Sequence, residues 1–247
     1  MTDKPLLVIR PLRDGDAFLT LLSNADIPYR HIPIMTIRSL ADSQSEQITN
    51  LINRLDQFAY AIFISANAAE IGLPLVAKHW PKLPETIEFL AVGQQTGQLF
   101  SDHGYAGRCP TRQPNTEWVL NELPQLQDLN GKSVIIFRGG EGRQTLGAQL
   151  ANRGAKVEYC NLYQRLIAPL KVAEAQAFMG QASCLIAHSG ELLQGLGPVC
   201  ENHIPVIVPS ARIAEQARQG GYTDIQIADN ALPQSMFDAV QHIRQRG

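Results

Sequence analysis

Short, almost continuously apolar runs recur along the chain, separated by longer amphipathic stretches. Leu6-Leu7-Val8-Ile9, Tyr60 to Ile64, Phe89 to Val92, Ser133 to Phe137, Cys184 to Ala187 and Val206-Ile207-Val208 have the character of strands buried on both faces of a parallel sheet. The fullest local pattern runs from Ser133 to Tyr159. A strand over 133–137 leads into the glycine-rich turn Arg138-Gly139-Gly140-Glu141-Gly142-Arg143. Leu146 and Leu150, at i and i+4, then give a helix its buried stripe, and Gly154 suits the left-handed residue that ends it. Ala155 to Tyr159 returns as a strand, which completes a βαβ unit.

The same unit occurs earlier at a constant offset of 128 positions: Arg10 falls on Arg138, Asp26 on Gly154 and Tyr29 on Val157. There the pattern predicts a strand over 6–9, a helix from Asp14 to Leu22 and a strand from Pro28 to Ile34. Two further segments are doubled. Tyr60 to Ser65 running into Ala66-Asn67-Ala68-Ala69 resembles Cys184 to Ser189 running into Gly190-Glu191-Leu192-Leu193. Phe89 to Gly93, leading through Thr96 to Gly104-Tyr105, resembles Val206 to Ser210, leading through Ile213 to Gly221-Tyr222. With the three units called A, B and C, the chain reads A, B, C, A, B, C. Strands alternating with helices at this spacing predict an α/β protein with two open, parallel, flavodoxin-like sheets. A tandem cut near Leu126 to Leu129 is one arrangement. The other docks the first A unit on the second B and C units and makes residues from about 43 to 160 an insertion. A last helix after Pro233 presents Met236, Phe237, Val240 and Ile243 toward a sheet.

Composition narrows the class. A chain of 247 residues has room for two domains, and 45% hydrophobic with 18% charged residues is ordinary for a soluble globular protein. A net charge of -2 argues against a general nucleic-acid binder. No apolar run approaches the ~18 residues that would mark a membrane span. Leu6 to Ile9 is too short for a signal-peptide core, and Arg10 interrupts it. Cys109, Cys160, Cys184 and Cys200 lie far apart without a CxxC pair, as expected of reduced thiols in a cytoplasmic protein.

Common catalytic signatures are missing. There is no GxxxxGK[ST], no complete dinucleotide fingerprint, no GxSxG and no metal-binding histidine spacing, so a metal site is not expected. The candidate chemistry is a set of helix N-termini at the carboxyl ends of strands. They are Arg10, Ser65 with Asn67, Gly93 with Thr96, Arg138 with Gly139, Gly140 and Arg143, Ser189 with Gly190, and Ser210 with Arg212. In open α/β sheets ligands bind at this edge, and its backbone N–H groups suit a ligand with many carboxylates. Each residue also has a plainer role. The serines are good N-caps wherever they occur, the glycines shape a turn, and Tyr163 would fit a domain junction. Arg138 and Arg143 are cations at a helix N-terminus, where they oppose the dipole, and a bound anion would relieve that cost.

The chain resembles the uroporphyrinogen-III synthase family through the order and spacing of several motifs. These are Arg10-Pro11, Phe63 to Ala68, Ala91 to Thr96, the 138–143 turn, Tyr163-Gln164-Arg165 and Pro209 to Ala214. The resemblance implies two flavodoxin-like domains, the second inserted into the first. Domain 1 would be 1–37 with 169–247, domain 2 would be 43–160, and 38–42 with 161–168 would be linker strands. It also implies a cofactor-free site in the cleft between the domains. There Tyr163 assists loss of the substrate hydroxyl, Thr96 lines the cleft, and Ser65, Arg143 and Ser189 lie on the substrate side. Ile213 stands where the family often has Thr. The expected partner is a small linear tetrapyrrole, with no nucleic acid and no membrane, and a monomer is expected. A two-domain binding protein for a small polycarboxylate is the alternative from another class.

Overall fold

The structure, a computed structural model, describes residues 4–12, 15–110, 120–121, 123–140, 144–198 and 204–246. Its strands are β1 (Leu6–Val8), β2 (Tyr29–His31), β3 (Met35–Ser39), β4 (Tyr60–Phe63), β5 (Glu88–Ala91), β6 (Gly107–Arg108), β7 (Ser133–Gly139), β8 (Lys156–Ile167), β9 (Cys184–Ile186), β10 (Val206–Val208) and β11 (Ile225–Ile227). The α-helices are α1 (Ala17–Asn24), α2 (Ser45–Ile52), α3 (Ala66–His79), α4 (Gln94–Asp102), α5 (Thr145–Asn152), α6 (Pro169–Phe178), α7 (Gly190–Leu196), α8 (Ala211–Gln219) and α9 (Pro233–Arg246).

The chain divides into two units, Met1–Ile37 with Leu166–Gly247, and Arg38–Arg165. In the first, the sheet order is β2-β1-β9-β10-β11 and the pairings are parallel. In the second it is β3-β8-β7-β4-β5-β6, with β8-β7-β4-β5-β6 parallel. In the repeat notation the first sheet and the parallel part of the second both read A, A, B, C, C. The first A unit therefore shares a sheet with the second B and C units.

The match extends to register. Leu6 faces Tyr29 and Val8 faces His31 in one sheet, while Val134 faces Val157 and Ile136 faces Tyr159 in the other, each pair 128 positions on from its counterpart. Asp26 has φ 51° and Gly154, its counterpart, φ 92°, so both A units end their helix with a left-handed residue. Asp16, not an earlier residue, starts α1, because its side chain accepts from the N–H groups of Phe18 at 3.0 Å and Leu19 at 3.2 Å. β2 is shorter than the 28–34 pattern predicts. Ile32 N–H still donates to Val8 at 2.9 Å, but Pro33 has no N–H to continue the ladder. β8 runs well past Tyr159 because it also pairs with β3. Leu40 N donates to Leu162 O and Ala168 N to Ile34 O, both at 2.8 Å, so one number rises as the other falls, the antiparallel sense.

Both faces of the first sheet are covered, as the continuous apolar strands require. Leu7, Ile9, Leu185, Val206 and Val208 pack on one side with residues of α6, α7 and α8. Leu6, Val8, Cys184, Ile186 and Ile207 pack on the other with Phe18 and Leu22 of α1 and Met236 and Val240 of α9; Phe237 and Ile243 lie against the same cluster. In the second unit Ile62, Leu90, Val134 and Ile136 pack with Leu146 and Leu150 of α5. The opposite face carries an aromatic group in which Phe63 stacks on Phe137 at 4.4 Å and meets Phe100 edge-on at 5.3 Å.

Candidate active site

In the second unit the carboxyl ends of β8, β7, β4 and β5 lie side by side, since Phe63 is in register with both Phe137 and Ala91. Tyr163 sits where β8 passes the end of β7. A register irregularity between Arg138 and Gly139 brings Gly139 opposite Tyr163. The ring then lies over Gly139 so closely that a Cβ there would stand 2.5 Å from its Cε2, which explains a glycine at this point. Gly140 N–H donates to the Tyr163 carbonyl at 2.6 Å. The side chain is 1% exposed, and its hydroxyl lies 3.0 Å from Ser65 Oγ and receives Arg165 Nη2 at 3.4 Å.

Ser65 is partly exposed and is the N-cap of α3, with Oγ accepting from Ala68 N at 3.1 Å. Asn67 and Thr96 are buried in the first turns of α3 and α4, and Gly93 is the extended N-cap of α4. Arg138 is 7% exposed. Its Nε donates to Asn161 Oδ1 at 2.9 Å, and its guanidinium lies 4.1 Å from the centre of the Tyr159 ring. Ser65, Gly93, Thr96, Arg138, Gly139, Gly140 and Tyr163 thus share one sheet edge. Arg143 lies outside the described residues.

The corresponding edge of the first unit is built on Arg10. Its Nε faces Asp16 Oδ2 at 3.2 Å, and Nη1 reaches Nε2 of His188 at 3.1 Å. The contact with Oδ2 is a charge pair, not an aligned hydrogen bond, and among the described residues Oδ2 has no hydrogen-bond partner. His31 Nε2 donates to the Arg10 carbonyl at 2.9 Å. His31 and Tyr159 hold the same place in the repeat, so each A unit sets a ring of its second strand against the arginine that ends its first. Ser189 caps α7 through Leu192 N at 3.3 Å, and Ser210 caps α8 through Ile213 N at 3.4 Å. Gly190 lies against Gln216, where a Cβ would collide with its side chain, and Arg212 is exposed.

The partners Asp16, His31, Asn161 and Tyr159 escaped the sequence reading. Asp16 followed by Phe18 and Leu19 carries a capping signal; the other three are recognisable only once neighbouring strands are known. Burial pushes the Cys160 thiol up to about 12, and it pushes Cys184 further still, so neither thiol serves as a nucleophile. Among the described residues no helix is long and apolar enough to cross a membrane.

The family model described as uroporphyrinogen-III synthase HemD matches residues 16–238. The chain belongs to the uroporphyrinogen-III synthase family. It is similar to the uroporphyrinogen-III synthase of Escherichia coli K12, with 31% identity over 251 residues that cover 96% of this chain and 99% of that one. The Salmonella typhimurium LT2 enzyme is 30% identical over 254 residues, with the same shares. Among solved structures, a mutant uroporphyrinogen III synthase from Thermus thermophilus superposes with a TM-score of 0.69 at 14% identity, covering 98% of this chain and all of the other. The Helicobacter pylori 26695 synthetase gives 0.61 at 16%, with the same shares. These distant structures share the α/β fold with predominantly parallel sheets. As a member of the uroporphyrinogen-III synthase family the chain is a cyclising lyase of tetrapyrrole biosynthesis.

Proposed function

We propose that the chain closes hydroxymethylbilane to uroporphyrinogen III, with loss of water and inversion of the terminal pyrrole ring, and that the edge around Tyr163 carries the chemistry. A hydroxymethylpyrrole ionises readily because the ring nitrogen pushes electrons toward the departing oxygen. The protein then has only to protonate that oxygen. The resulting azafulvene is attacked by the substituted carbon of the terminal ring, and the spiro intermediate fragments and recloses with the ring reversed.

Unassisted head-to-tail closure gives the unrearranged isomer, so the main demand is conformational, an effective-molarity effect. The N–H groups at the starts of α3, α4 and α8 bind substrate carboxylates in this reading, with Arg10, Ser189, Gly190, Arg212 and Arg143 as further contacts. No group beyond the protein's own side chains and backbone amides is called on. The A, A, B, C, C order, which in the first unit is 2-1-3-4-5 in chain order, supports a flavodoxin-like reading of both sheets. The enzyme acts as a cytoplasmic monomer with reduced thiols.

The observation that carries the reading is the Tyr163 hydroxyl, 3.0 Å from Ser65 Oγ at a strand-end edge, in a chain of this family. The test is incubation with freshly made hydroxymethylbilane, oxidation and separation of the isomers. Type III product in excess over type I supports the reading, and type I alone contradicts it.

A further inference from the structure

We propose that Ser65 is the group that touches the departing hydroxyl, with Tyr163 behind it as the proton source of a two-hydroxyl relay. The inference rests on the assignment of the Tyr163 edge above. Tyr163 is 1% exposed and held over Gly139, whereas Ser65 is partly exposed at the start of α3.

Donor and acceptor capacity permits a relay that runs from Tyr163 to Ser65. An arginine N–H can only donate, so the phenolic oxygen accepts from Arg165 at 3.4 Å. Either hydroxyl can donate in the 3.0 Å contact between the phenol and Ser65 Oγ, and the relay takes the arrangement in which Tyr163 donates. Ser65 Oγ also accepts from Ala68 N at 3.1 Å, which occupies its second lone pair. In that arrangement the hydrogen of Ser65 is the one left to give. Arg165, Tyr163 and Ser65 thus form a row of donors that ends at the partly exposed serine.

In the reaction Ser65 passes its proton to the substrate hydroxyl as the C–O bond breaks. Water leaves with the bonding electron pair, and the pyrrole nitrogen supplies the new C=N bond. The Tyr163 proton moves to Ser65, leaving a phenolate faced by the Arg165 guanidinium. After the terminal ring has been inverted and closed, the proton lost from the final ring carbon returns along the same path. The bilane is converted to macrocycle and water, and both hydroxyls are restored.

The test uses the intact protein and four variants, Ser65→Gly, Ser65→Thr, Tyr163→Phe and the double variant of Ser65→Gly with Tyr163→Phe, in steady-state assays with hydroxymethylbilane. Ser65→Gly keeps a residue that an N-cap position tolerates but removes the hydroxyl; Ser65→Thr keeps both cap and hydroxyl. Ser65→Gly should lower kcat by about 10²-fold with KM nearly unchanged, within the range for a lost proton donor. Ser65→Thr should recover most of that loss, and Ser65→Gly combined with Tyr163→Phe should be no slower than Ser65→Gly alone, because the two act as one unit. Near wild-type turnover in Ser65→Gly beside a slow Tyr163→Phe would overturn the relay, as would a double variant slower by the product of the single effects. A wild type that makes no type III isomer would overturn the functional assignment itself.

Discussion

Nη1 of Arg10 lies 3.1 Å from Nε2 of His188, and because a guanidinium only donates, the imidazole must accept. His188 is therefore neutral with its hydrogen on Nδ1, a buried atom with no hydrogen-bond partner among the described residues. Burial first, then the Arg10 charge and His31, holds its pKa well below 6.5. An unfolded chain takes up this proton near pH ~6.5, while the fold resists it. Stability is thus independent of this group above neutrality and falls as the pH drops below that value, by up to about 1.4 kcal/mol per pH unit. Urea midpoints at pH 5 and pH 7.5 should differ less in His188→Gln than in the wild type. An equal pH dependence in both would place the acid sensitivity elsewhere.

Asp26 and Gly154 occupy the same left-handed position in the two A units, at φ 51° and 92°. A side chain at 154 would also press on Asn130, whose Cα would lie 3.0 Å from the new Cβ. Gly154→Ala should cost more than about 1 kcal/mol, while Asp26→Gly should change stability by only a few tenths in either direction. Thermal midpoints compare the two directly.

Phe63 stacks on Phe137, touches Phe89 and Phe100, and is fully buried. Phe63→Ala should destabilise the protein by about 3–5 kcal/mol, read from denaturant unfolding. The same loss should make Cys160 accessible to a thiol reagent, whereas Cys160 and Cys184 in the wild type should react only after unfolding.

Much of this architecture was legible in the hydrophobic pattern. The apolar runs mark the central strands, and the offset between the A units anticipates a register that the two sheets share residue for residue. Less legible was anything assembled from strands distant in sequence. That β1 lies beside β9 follows from pairing and not from either segment. The Arg10, Asp16, His31 and His188 group draws on three strands and a helix cap, so no local spacing announces it. Tyr163 and Ser65 are 98 positions apart. Gly139 reads in sequence as part of an anion-binding turn, yet its nearest neighbour is the Tyr163 ring, a relation that depends on a one-residue irregularity between β7 and β8.

That relation gives a further prediction. Gly139→Ala would force the Tyr163 ring to move, because the new Cβ would stand 2.5 to 3.0 Å from three of its carbons. The substitution should cost about 1–3 kcal/mol and lower kcat well beyond what partial unfolding explains. Activity that tracks only the folded fraction would mean that the position of the ring does not matter for turnover.

The most direct measurement is the single-turnover rate of type III isomer formation by Tyr163→Phe beside the wild type, with thermal unfolding of both. Removing one hydroxyl should slow the rate by about 10²-fold or more and leave the melting temperature within a few degrees. A variant as fast as the wild type would show that the edge around Tyr163 does not supply the proton.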